Sequence, residues 1–345
     1  MGAVAWYRRR GHAAAREAGG GAQRPGPVAE PAAPAAGAEQ GSAADALKAE
    51  LAAASRLLWA NALSSARFGF AVPPGHEPIM LAAREALAAD PLSEKYFPRR
   101  PMLMPQLLAA VNDPDAAAVK LASIISQDPV LTGNILRLAN SVYFRLSSEP
   151  VESIQRAVVV CGTDGLQSLA ATALVQPVFR AGSEEHSRFP AVLWERCTRA
   201  SMAAEMCARR WCPADRQAAH LLALLSALGP LVAYRVVQDQ YRLQPTLPPA
   251  PAVFLQVIDR YSVVMAGRIA ALWQSAPRII AVLRGELPQV PLERALHAGE
   301  LLATLSLLAA DAQLTEEECQ ARAVGAGVPA PLQAAVWPRL SAPAQ

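Results

Sequence analysis

Proline, glycine and acidic caps divide this chain so regularly that almost every apolar stretch is cut to the length of one helix. The clearest boundary is Asp128-Pro129. Its carboxylate can accept the free N–H groups of a first helical turn, and proline fills a position that needs no N–H. Leu131, Ile135 and Leu138 then share one helical face. The same punctuation recurs down the chain. It predicts helices opened by Pro101, closed by Asn112-Asp113-Pro114-Asp115, restarted after Gly162-Thr163-Asp164 as far as Val175, and running from Pro190 to Trp211. Two helices should flank Gly229-Pro230, a further pair should cover 252–260 and 263–274, and others should span 291–310, 316–324 and 331–337.

No alternating stretch bounded by hairpin turns competes with this reading; the short apolar run 157–161 fits a buried helix end equally well. Composition agrees. Hydrophobic residues make up 52% of the 345 residues, yet aromatics only 6%, and the balance is alanine and leucine, which favour helix over strand. The expected class is therefore all-α, with a chain long enough to bury a large core without staples.

Several function classes are disfavoured at this point. The formal net charge is only +3, with no basic block beyond Arg8 to Arg10, so a nucleic-acid surface is not expected. The odd set Cys161, Cys197, Cys207, Cys212 and Cys319 has no C-x-x-C pair, which suits free thiols in a reducing cytoplasm. No export signal follows the basic start, and the apolar run 218–234 is interrupted by Gly229-Pro230, so a cytoplasmic protein without a membrane span is expected. G-x-S-x-G, H-E-x-x-H and P-loop patterns are missing.

The stretch from Gly19 to Ser42 is rich in Gly, Ala and Pro and predicts a disordered tail over 1–44. Asp45 is a plausible cap for a helix reaching Phe70, and a second short helix is expected over 78–89, so 45–95 is read as an accessory helical segment.

The ordered set Pro105, Leu108, Asn112-Asp113-Pro114-Asp115, Ile124-Ile125-Ser126-Gln127-Asp128-Pro129 and Leu136-Arg137-Leu138-Ala139-Asn140-Ser141 resembles the start of an HDOD domain, the HD-related output domain of bacterial signalling proteins. The resemblance continues through Ile154, Ala157 and Val158 to Cys161-Gly162-Thr163-Asp164-Gly165-Leu166, and then to Leu193-Trp194. It covers about 96–297, leaving 298–345 as a C-terminal helical extension, and implies a multi-helical, HD-domain-like bundle. Asp128, Pro129, Asn140, Ser141, Gly162 and Trp194 are its structural signature; Asn140 suits a left-handed helix end.

HD hydrolases, to which the family is related, grip metal ions with histidines and aspartates that include an adjacent His-Asp pair. This chain has no His-Asp dipeptide. The ligand positions implied by the resemblance fall on Arg196, on Ser226 and Ala227, and near Val263 and Arg284. None is an imidazole or carboxylate, so neither a metal nor another cofactor is expected. His220 is the one histidine placed to join Glu195 or Glu205, although a core histidine is the blander reading. Cys207 and Cys212 lie near arginines that can lower a thiol pKa, at a helix end that opposes the effect.

The resemblance implies a non-catalytic signalling module that binds another protein. Two alternatives remain: residual phosphohydrolase activity on a cyclic dinucleotide or nucleotide, and nucleotide sensing without hydrolysis. The latter would use Arg196, Arg199, Arg209 and Arg210 as ligand or partner contacts.

Overall fold

The computed structural model describes residues 36–63, 71–89, 128–147, 149–180, 188–287 and 290–341, together with isolated positions between 96 and 126. Among them there is no strand. Twelve helices have complete bounds: α1 (Ala36–Ala62), α2 (Glu77–Ala88), α3 (Pro129–Ala139), α4 (Ile154–Arg180), α5 (Phe189–Trp211), α6 (Arg216–Ser226), α7 (Leu228–Arg242), α8 (Pro251–Leu272), α9 (Pro277–Leu283), α10 (Pro291–Ala310), α11 (Glu316–Gly325) and α12 (Ala330–Leu340). The expected 101–120 elements and the tail over 1–35 lie outside the described residues.

The spine is the pair α5 and α10. Gly299 sets its spacing, because a Cβ there would come within 2.3 Å of the Ala204 backbone nitrogen. A second close approach joins α7 to α8, where a Cβ on Gly229 would sit 2.0 Å from the Ser262 carbonyl oxygen. Around these pairs α6 packs on α5, α2 on α7, and α11 and α12 on α10, closing one apolar core. Trp273, Phe189, Leu58 and Ile135 are among its largest fully buried side chains.

Asp128 caps α3 as its sequence suggests: its Oδ1 accepts from the Val130 N–H at 2.9 Å and the Leu131 N–H at 3.0 Å, with Pro129 in the first turn. Asn140 does not adopt a left-handed conformation; its φ is −90°. Its side chain instead clasps the chain downstream, donating to the carbonyls of Leu136 (2.9 Å) and Val151 (2.8 Å) and accepting from the Val151 N–H (2.8 Å). The position is architectural because its amide satisfies three backbone groups at once. Ser141 donates to the Leu138 carbonyl. Gly162, with φ 71°, makes the kink inside α4.

Several boundaries differ from those expected. α1 begins at Ala36, so Asp45 lies within the helix and is not its cap; the Ala-rich run before it simply extends the helix. α4 runs on through Pro177 to Arg180, because a proline in the last turn removes one hydrogen bond without ending the helix. The break before α7 falls at Ala227, and Gly229-Pro230 sits in the first turn of α7, where an N–H is not needed. The expected pair over 252–274 is one helix, α8; the Ser262 hydroxyl donates back to the Ile258 carbonyl and so does not break it. α9, opened by Pro277, was not anticipated.

Two stretches, Ile154–Phe179 and Pro213–Arg242, are apolar and long enough to cross a membrane by composition, the second containing the 218–234 run that Gly229-Pro230 interrupts. The second is 89% buried within the protein, as a core helix pair would be.

Candidate functional site

On α5, Arg196 points toward α10 and the end of α6. Its Nε donates to Thr304 Oγ1 at 2.9 Å, and its Nη2 lies 3.7 Å from Glu300 Oε1. The same carboxylate oxygen accepts from Ser226 Oγ at 2.6 Å. Thr304 in turn donates to the Glu300 carbonyl. Arg196 and Glu300 are each 5% exposed, so this is a charge pair inside the core with its hydrogen-bonding groups engaged. The guanidinium also lies over the Trp59 ring of α1, 5.3 Å from its centroid, a cation–π geometry.

Arg196, Ser226, Glu300 and Trp59 line a cavity of about 410 Å³. Three of the five positions singled out from the resemblance, Arg196, Ser226 and Val263, line it. Ala227 is buried and does not. Arg284 is also outside: its side chain lies across Gly267 and its Nη1 is 3.6 Å from Glu286. The sequence reading missed Glu293, His297 and Glu300, which enter the wall from α10. Their spacing of four and three places them on one helical face, the signal that was available. Glu293 is held by Lys48 of α1 at 2.9 Å. Burial pushes the His297 imidazole below its ordinary pKa, against the pull of the Glu300 and Glu293 carboxylates and with help from Lys48.

The donors do not fit a metal ion. Among the described residues no three His, Cys, Asp or Glu side chains are grouped so as to hold one. The Arg196 guanidinium already provides a permanent positive charge beside Glu300, so an added cation would meet repulsion as well as a short donor set.

The other face of α5 carries a second polar cluster. Glu205 Oε2 lies 3.2 Å from His220 Nδ1 and accepts from Ser168 Oγ at 2.9 Å, while His220 Nε2 is 2.9 Å from Thr172 Oγ1. His220 is 1% exposed and joins Glu205, not Glu195. Burial alone would raise the Glu205 pKa, but hydrogen bonds and charge from His220, with Ser168 and Arg209, lower it.

The four arginines do not form one surface. Arg199 is buried, its guanidinium reaching Glu195 Oε1 (2.6 Å), Ser306 Oγ (2.9 Å) and Tyr143 OH (3.2 Å). Arg209 and Arg210 are exposed in the last turn of α5. Arg209 instead shares a cleft of about 420 Å³ with Arg216, Arg339 and the Gly162 kink. Trp194 packs against Phe179 at 5.2 Å between ring centroids. Burial raises the thiol pKa of Cys207, to about 12, and of Cys212, so the nearby arginines do not activate either.

Residues 97–283 match the profile of the HDOD domain family. Comparison with curated proteins gave no match. Among solved structures, an HDOD domain protein of unknown function from Geobacter sulfurreducens aligns at 19% identity over 76% of this chain and 89% of its own, with a TM-score of 0.54. A protein from Shewanella amazonensis SB2B, provisionally named a metal-dependent phosphohydrolase, aligns at 17% identity over 77% and 98%, TM-score 0.54. A second from the same organism, provisionally named a phosphohydrolase, aligns at 19% identity over 75% and 93%, TM-score 0.52.

Proposed function

This chain belongs to the HDOD domain family, and we propose that it is a non-catalytic regulatory module of bacterial signal transduction, working in the cytoplasm by binding another protein. The observation that supports this reading is the buried Arg196–Glu300–Ser226 network: at a position where the resemblance implies a metal ligand, this chain carries a guanidinium, which cannot coordinate a cation. Metal analysis of the purified protein, with a phosphodiester hydrolysis assay in added iron or manganese, tests it. Substoichiometric metal and background turnover are expected; stoichiometric metal with turnover overturns the reading. An affinity pull-down from native lysate, compared with a chain lacking 1–95, then identifies the partner.

Nucleotide sensing without hydrolysis is the second reading, favoured by the cleft that Arg209, Arg216 and Arg339 share with the apolar side chains of Phe144, Met202 and Met206. Arg196 and Arg210 lie outside that cleft. Titration with mononucleotides should then show binding that Arg209→Ala weakens, whereas unchanged binding in that variant removes the cleft from consideration.

A further inference from the structure

α1 is seated on the cavity as a bound helix would be. Lys48, Leu51, Ala52, Ser55 and Trp59, which recur at helical spacing, form its wall on that side. Leu47, Ala54, Leu58 and Trp59 are buried, and the Trp59 ring meets Phe189 edge-on with centroids 5.1 Å apart. The rim is complementary in charge. Lys48 reaches Glu293 at 2.9 Å, Arg56 reaches Asp259 at 2.7 Å, and Asn61 Nδ2 donates to Asp311 at 2.8 Å. One pair has the opposite polarity, Arg322 to Glu50 at 3.4 Å. Much of the polar grip at the rim is thus ion pairing open to solvent, which holds weakly in water, and a cavity of about 410 Å³ stays open beside the buried stripe.

We propose that this groove is a helix-docking site, held in cis by α1 and taken in trans by a partner's amphipathic helix that carries a cation, a leucine stripe and a tryptophan at the same spacing. Such a site gives the helix-in-groove mode of recognition, with α1 as the competitor that sets the apparent affinity. The inference rests on the protein-binding reading and names its surface.

The test uses a labelled peptide of sequence 43–63 as the probe and the full chain as the receptor. Lys48→Glu with Arg56→Asp, both at half-exposed positions, should weaken the hold of α1 and raise peptide affinity about tenfold or more over the native chain, because the competent fraction rises. A Trp59→Ala peptide should bind about tenfold more weakly than the parent. Hydrogen exchange should show the α1 amides of the double variant losing protection while α5 and α10 keep theirs. Equal peptide affinity for native and double-variant chains, or no binding to either, overturns the proposal. So does dimerisation of the double variant by light scattering with no gain in peptide binding, which makes a second copy's α1 the occupant. Metal-dependent turnover would sink the non-catalytic reading while leaving peptide competition intact, so the two failures are separable.

Discussion

The two polar clusters on α5 are nine residues apart, from Arg196 to Glu205, which is half a turn out of register and sends them to opposite faces of one helix. Both sit in apolar surroundings, yet they manage charge differently. The Arg196 cluster is built on a guanidinium tied to Glu300, Ser226 and Thr304. The Glu205 cluster turns on a carboxylate whose charge can be lost, set against the buried imidazole of His220. The first is a permanent fixture; the second is tied to pH. The contrast shows why burying a histidine is not enough to suggest chemistry.

Removing the acid from the permanent cluster is the harshest test of the contrast. Glu300→Leu should cost about 3–5 kcal/mol in urea denaturation, because Arg196 is left buried without its carboxylate. Adding Arg196→Met should recover much of that loss; a double variant as unstable as the single one would mean that packing, not charge, holds the site. In the second cluster, His220→Leu should cost about 1–3 kcal/mol, since Glu205 and Thr172 lose a buried partner.

The pH response should separate the clusters further. Glu205 has a folded pKa below its ordinary value, so its contribution is present at neutral pH, above the unfolded pKa, and fades as the pH drops through the folded one. Glu205→Gln should flatten the acid limb of a stability–pH profile, and an unchanged limb would detach Glu205 from the response. The smallest effect belongs to the rim. Arg56 is 60% exposed, so Arg56→Asp should shift global stability by only about 0–1 kcal/mol, with the larger change seen in α1 exchange.

Much of the fold was legible because helix punctuation is local. Asp128-Pro129 and Pro291 announce their helices within one turn of sequence. Breaks were less readable. Ser262 and Pro177 look like interruptions, but a hydroxyl bonded back along the helix and a proline in a final turn do not interrupt it. For the site, the resemblance led to Arg196, Ser226 and Val263. It could not show that Glu300, more than a hundred residues from Arg196, supplies the counter-charge, since only packing of α5 on α10 brings them together. The contacts of α1, legible only as part of an accessory helical segment, were equally hidden: Lys48 and Trp59 acquire meaning from what lies opposite them.

Gly299 immediately precedes Glu300, and this adjacency links spacing to charge. Any side chain at that position would wedge α10 away from Ala204 and draw the Glu300 carboxylate off the Arg196 guanidinium in the same movement. Steric and electrostatic damage at this point would therefore arrive together, as with a gear whose tooth and axle are cut from one piece. Enlarging residue 299 should imitate loss of the acid without altering a single formal charge.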